Sequence, residues 1–155
     1  MVNRVDTKLK DDLLKMLKNE QFVTLATVHH ETGSPDMNSI SWVYAPDEKT
    51  IRFAVDRRSR SVENIKQKPE ATLNIIGSGS SYAVFGQAEV KVDVIEGPPL
   101  KLALIELTVN EVKDIMFYGA RVTKSVAYEK TYDEEAAAKL DRQVMTALQT
   151  VNDQS

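Results

Sequence analysis

The chain has 155 residues, 42% of them hydrophobic and 28% charged, with a formal net charge of −3. That is globular composition, which excludes a disordered or fibrous chain, and the charge excludes a general nucleic-acid binder, which needs a strong basic excess. The count of cysteines is zero, which removes disulfide frameworks, thiolate zinc sites, cysteine nucleophiles and iron–sulfur clusters together.

A length in the usual range of about 100–200 residues per domain, with no Pro/Gly/Ser-rich linker, predicts one domain over residues 1–155. The opening MVNRVDTKLKDDLLKMLKNE lacks the uninterrupted apolar core of a signal peptide or membrane span. The expectation is a soluble, cytoplasmic protein that engages neither membrane nor nucleic acid. Asp6 or Thr7 is placed to cap a helix in which Leu9, Leu13, Met16 and Leu17 follow at helical spacing, about three turns long, with Asn19 closing it. FVTLATV from Phe22 is a β-branched strand, HHETGSPD a loop, and MNSISWVYA from Met37 a second strand, completing a hairpin with the first.

APDEKT is a turn, IRFAV (Ile51 to Val55) a third strand, and SRSVENIKQK a short helix stopped by Pro69. ATLNII (Ala71 to Ile76), the turn GSGSS, and YAVFGQAEVKVDV with Gly86 as a bulge or bend supply two more strands. LALIELTVNEVKDIMF is either one long bent strand or two short ones, and VTKSVAYEKT is a candidate edge segment. From Asp133, DEEAAAKLDRQVMTALQ is a helix with an acidic first turn and Leu140, Val144 and Leu148 on one face. Many short strands with a helix at each end and a short one between predict an α+β, mainly β, Greek-key or partly open β-barrel.

Charge is uneven. From Arg57 to Lys68, RRSRSVENIKQK holds five basic residues and one Glu. A strand there delivers the chain to a Ser/Arg turn at which a helix begins, so hydroxyls, a guanidinium and free helical N–H groups converge as an anion site would need. Ser59, Arg60 and Ser61 supply the donors, and Arg57 or Arg58 adds charge. The same segment equally fits a solvated basic turn with Ser59 as an ordinary N-cap.

Laid end to end, PDMNSISWVY, IRFAVDRRSRSVENIKQKPEATLNI and YAVFGQAEV resemble the FMN-binding split β-barrel proteins of the pyridoxamine 5′-phosphate oxidase-like family, over roughly residues 20 to 95. The resemblance implies FMN as cofactor, with its phosphate on Ser59, Arg60 and Ser61 and its ring along Asn38, Ser39, Ile40, Ser41 and Phe53, Ala54, Val55, mostly through main-chain contacts. It also implies a homodimer with sites at the subunit interface.

The family's turn lysine is Ser61 here, the arginine opening the hairpin strand is Asn38, and the lysine ending it is Val43. With those cations gone, the phosphate would lean on Arg57 or Arg58 besides Arg60. EKTYDEEAAAKLDRQVMTALQ has no counterpart of the family's pyridoxine-phosphate grip, so oxidation of pyridoxamine phosphate is not expected. A short, general-stress-like member is expected instead: either an FMN-dependent oxidoreductase using a nicotinamide nucleotide, or a non-catalytic dimer binding flavin, haem or a deazaflavin.

The other candidates are weaker. On a strand His29 and His30 would point to opposite faces and could not jointly bind a metal; in a loop they could do so with Asp36 or Glu31, but no metal site is expected. Trp42 is expected to pack in the core or at the dimer interface, with stacking on flavin as the alternative. Tyr82 and Tyr118 are potential hydroxyl donors that more commonly pack. Gly77 and Gly79 form a hairpin turn, because no helix follows as a phosphate-cradling loop requires.

Overall fold

The computed structural model describes residues 5–151. Its sheet runs in the order β3-β2-β6-β7-β8-β5-β4, all antiparallel, where β2 is Val23–Val28, β3 Pro35–Ile40, β4 Val43–Asp47, β5 Thr50–Asp56, β6 Glu70–Gly77, β7 Ser80–Val92 and β8 Leu102–Asp114. A two-residue strand, β1 (Val5–Asp6), adds to β8. Among the described residues three helices complete the fold: α1 (Asp11–Met16), α2 (Arg60–Gln67) and α3 (Glu134–Thr150). The mainly β barrel expected from the strand pattern is what forms, split as the resemblance implies, and the sheet does not close by hydrogen bonds.

Where it fails to close is informative. β3 and β4 are consecutive in the chain yet lie at opposite edges of the sheet. The predicted single strand from Met37 to Ala45 therefore breaks at Ser41 and Trp42. Met37 to Ile40 pair with β2, whereas Val43 and Tyr44 pair with β5. Ser41 O accepts from Gln21 N at 3.1 Å and Val43 N at 3.0 Å, and Trp42 O accepts from Ala54 N at 3.1 Å. A period of two reports that a segment is extended but not which neighbour each half will choose. Val43 and Ala45 are fully buried, so burying them in the barrel drives the second half across.

Two apolar clusters hold the fold. Inside the barrel, Leu25, Ile51, Phe53, Leu73, Val84, Ile105 and Leu107 from five strands pack with Leu9, Leu13 and Leu17 around α1. Outside it, Leu140, Val144 and Leu148 of α3 pack on Ala54, Leu102 and Leu104, so this helix buries its apolar face on its own barrel. Gly86 marks the predicted bulge: the β7–β8 register shifts between Phe85 and Gly86, and a Cβ on Gly86 would stand 2.1 Å from the Thr108 carbonyl oxygen. At the Gly77↔Ser80 hairpin both central residues, Ser78 and Gly79, take positive φ, as a tight two-residue turn demands.

Three further expectations are corrected. The first helix is shorter than three turns and starts after Lys10, because Leu9 N is bonded to Glu48 O and Asp6 belongs to β1. It ends at Met16 with Leu17 as C-cap, before Asn19. β8 is one strand that stops at Asp114, leaving Ile115 and Phe117 outside it and exposed. Residues 122–131 form no edge strand but run as an irregular segment towards α3. Among the described residues no helix is long and apolar enough to cross a membrane.

Candidate functional site

The split between β3 and β4 opens into a cleft of about 530 Å³, within the usual range for small-molecule sites, roughly 300–1,000 Å³. One wall is the β3–β4 corner, Asn38 to Trp42; a second is the end of β5, Ala54 to Asp56, with Ser59 and Ser61 beyond it; a third is Phe22, Tyr128, Lys130 and Tyr132. Its surface is mainly apolar with small polar side chains at one end, a setting suited to a planar ring carrying a polar tail.

At the polar end, Ser59 caps α2, its Oγ accepting from Val62 N at 3.4 Å. Asn38 Nδ2 donates to Ser61 Oγ at 2.7 Å, tying β3 to the first turn of α2. Just outside, Arg60 donates from Nε and Nη2 to the two carboxylate oxygens of Asp36 at 2.6 and 2.9 Å. That hydrogen bond, helped by a second from Asn64, holds the Asp36 carboxyl down at about 2 despite the opposing effect of burial, and the same pairing raises Arg60 further. Asn64 is fully buried, donates to Thr27 Oγ1 at 2.9 Å and to Asp36 Oδ2 at 3.1 Å, and accepts from His30 N at 2.9 Å.

At the aromatic end, Lys130 Nζ donates to Glu20 Oε2 at 2.7 Å and Asp141 Oδ1 at 3.1 Å, and lies 5.7 Å from the Trp42 ring centre and 5.9 Å from that of Tyr128. Asp141 Oδ1 also accepts from Trp42 Nε1 at 2.9 Å, so α3 fixes the indole. Partial burial opposes the Lys130 charge, but the two carboxylates outweigh it and hold the ammonium above the usual lysine range. Burial, with Glu20 beside it, pushes the Tyr128 phenol up to about 12.

The predicted site residues divide. Asn38, Ser39, Ile40, Ser41, Ala54, Val55, Ser59 and Ser61 come together around the cleft. Phe53 is 0% exposed in the barrel core and paired on both sides, to Val43 and Ile105. Arg57 pairs with Asp93 at 3.2 Å, and Arg58 N donates to Asp56 Oδ1 at 2.8 Å. Arg60 flanks the cleft, with its guanidinium on Asp36.

Trp42 joins the outer cluster and also lines the cleft. Tyr82 packs against the barrel core away from the cleft, and Tyr118 is 89% exposed. His29 and His30 follow β2 in a loop, with rings stacked 5.1 Å apart rather than on opposite faces. Among the described residues no three His, Cys, Asp or Glu side chains gather as a metal site would need.

Sequence patterning does not reveal Glu20, Phe22, Asp56, Tyr128, Lys130, Tyr132 and Asp141 as members of this site. The available signal was Tyr128, Lys130 and Tyr132 at i, i+2 and i+4, which an extended chain turns to one side.

The sequence model for pyridoxamine 5′-phosphate oxidase matches residues 9–116, which include the barrel strands β2 to β8 and α2. The chain belongs to the pyridoxamine 5′-phosphate oxidase family. Among solved structures, it is similar to a candidate member of that family from Lactobacillus delbrueckii, at 22% identity and TM-score 0.61 over 72% of this chain and 98% of that one. General Stress Protein 26 from Bacillus anthracis is similar at 14% identity and TM-score 0.52, over 67% of this chain and 97% of that one. A heme binding protein from Mycobacterium smegmatis is similar at 16% identity and TM-score 0.51, over 70% of this chain and 53% of that one. At such identities the likeness establishes the family's fold. No curated protein matches the chain.

Proposed function

We propose that residues 1–155 form a single FMN-binding split-barrel domain, a cytoplasmic homodimer with cofactor sites at the subunit interface, acting as a flavin-dependent oxidoreductase with a nicotinamide nucleotide as donor. One observation carries this reading: the cleft joins an apolar slot at Asn38–Trp42 and Ala54–Asp56 to the hydroxyl-lined first turn of α2, matching a planar ring joined to a phosphate. The residues fit the group. Small side chains at Ser39, Ser41 and Ala54 leave room for a ring, and Ser59, Ser61 and the N–H groups of α2 can donate to phosphate.

Bound flavin would supply reversible two-electron chemistry. The chain's own part is to bind, orient and exclude water. Trp42, Tyr128 and Phe22 shield the apolar end. Asn38 fixes the Ser61 hydroxyl, and Arg60 is the nearest guanidinium for the phosphate.

The visible spectrum of the purified protein, followed by FMN titration with fluorescence quenching, tests the reading. Stoichiometric uptake is expected, and a colourless protein indifferent to FMN refutes it. Arg60→Ala should weaken FMN about ten- to a hundredfold, the loss of one charge-assisted contact. Unchanged affinity would move the phosphate elsewhere. Oxidation of reduced nicotinamide nucleotide by the FMN-loaded protein separates catalysis from mere binding.

A second reading is a non-catalytic dimer that holds flavin, haem or a deazaflavin. The pairing of Arg57 and Arg60 with Asp93 and Asp36 favours a ligand in it that leans less on phosphate, because each guanidinium already holds a carboxylate. Tight binding of such a ligand without turnover across a broad acceptor panel is its signature.

A further inference from the structure

Asp36 and Asn38 sit on β3 two residues apart, and both reach α2: Asn38 to Ser61 at 2.7 Å, Asp36 to Arg60 at 2.6 and 2.9 Å. The Asp36 contact is bidentate. Its two oxygens take Nε and Nη2 of Arg60, the forked edge with which a guanidinium grips two phosphate oxygens. Nor is the carboxylate a loose surface partner. Asn64, fully buried, donates to Asp36 Oδ2 at 3.1 Å and is itself held by Thr27 and by His30 N. Buried groups therefore aim a negative charge at the guanidinium of Arg60, the residue between Ser59 and Ser61.

We propose that Asp36 is a built-in competitor for the phosphate of the cleft's ligand. It occupies the Nε–Nη2 edge of Arg60, so a phosphorylated ligand gains that edge only by displacing the carboxylate. Asp36 thereby sets how far the site prefers a phosphorylated ligand over its dephosphorylated form. The ligand's identity rests on the flavin reading; the competition rests on the Asp36–Arg60 geometry.

The test titrates wild type, Asp36→Asn, Arg60→Ala and the double variant with FMN and with riboflavin, by fluorescence quenching, and with inorganic phosphate, by calorimetry. Asparagine keeps an oxygen for Asn64 but removes the charge. Asp36→Asn should tighten FMN about tenfold, leave riboflavin unchanged, and lose that gain in the double variant. Equal or weaker FMN binding by Asp36→Asn overturns the proposal and makes Asp36 an orienter of Arg60. If neither flavin binds any of the four proteins, the flavin reading falls and inorganic phosphate decides. Tightening in Asp36→Asn that vanishes in the double variant supports competition, and no tightening overturns it. Circular dichroism checks folding, with Asp36→Ser replacing Asp36→Asn if the latter does not fold.

Discussion

The two ends of the cleft solve the same problem, placing polar groups beside an apolar slot, at very different reach along the chain. At the polar end Asn38 meets Ser61 and Asp36 meets Arg60, partners 23 and 24 residues apart. At the aromatic end Lys130 meets Glu20 across 110 residues and Trp42 meets Asp141 across 99. The first needs only β3 and the turn into α2. The second needs the segment around Lys130 and helix α3 to return to the barrel. Both ends share one electrostatic habit: the cations Arg60, Arg57 and Lys130 are each matched by an acid of this chain. A positive residue beside a cleft is thus no guarantee of free positive charge within it.

The difference in reach can be broken from either side. Leu148, fully buried under α3, is the strongest lever: Leu148→Ala should cost about 2–5 kcal/mol. Urea melts measure it, with a red shift of Trp42 emission as Asp141 loosens while the Asn38–Ser61 end holds. Next, Asn64→Ala removes a buried hub and leaves His30 N–H, Thr27 and Asp36 each short of a partner. A loss of about 1–3 kcal/mol is expected, with Trp42 emission unaltered; a shift in emission would show the two ends to be coupled.

Smaller effects lie at the pH extremes, one for each end. The unfolded chain's tyrosines titrate near 10 (about 10 in model peptides), whereas the folded Tyr128 holds its proton up to about 12. Stability therefore declines as pH rises through that interval, because the unfolded state releases the proton first. Lys130 acts in the same direction: its contribution is complete below the ordinary lysine value and is lost as pH climbs through its raised folded value. Tyr128→Phe should flatten this alkaline limb in urea midpoints measured against pH, and remove a late step from absorbance at 295 nm. At the polar end the sign reverses. Asp36 is held at about 2, below the unfolded aspartate value of about 3.9. Its contribution is present above the unfolded value and is lost as pH falls towards 2. Asp36→Asn should flatten the acid limb and leave the alkaline limb untouched.

The legible parts of the fold follow the same divide. Strands β2, β5, β6, β7 and β8, helices α2 and α3, and the Gly86 bulge are written in local alternation, helical spacing and glycine placement. The short first helix was not, because Leu9 is claimed by the Glu48 carbonyl and the two residues of β1 by β8. The crossing at Ser41 and Trp42 was hidden inside an unbroken alternating stretch. Ser59 and Ser61 stood out as hydroxyls in a basic turn, but nothing local says that Arg60 spends its donors on Asp36.

What the sequence by itself determined is the mainly β barrel, helices α2 and α3 and the hydroxyl-bearing turn at Ser59–Ser61. These depend on periodicity and turn chemistry within a few residues. Only the tertiary structure decided that β3 and β4 part to opposite sheet edges, that Tyr128 and Lys130 return to wall the opening, and that the cations are paired. Those outcomes depend on which distant surfaces bury most apolar area and which carboxylates arrive beside which cations, and neither is carried by any local pattern.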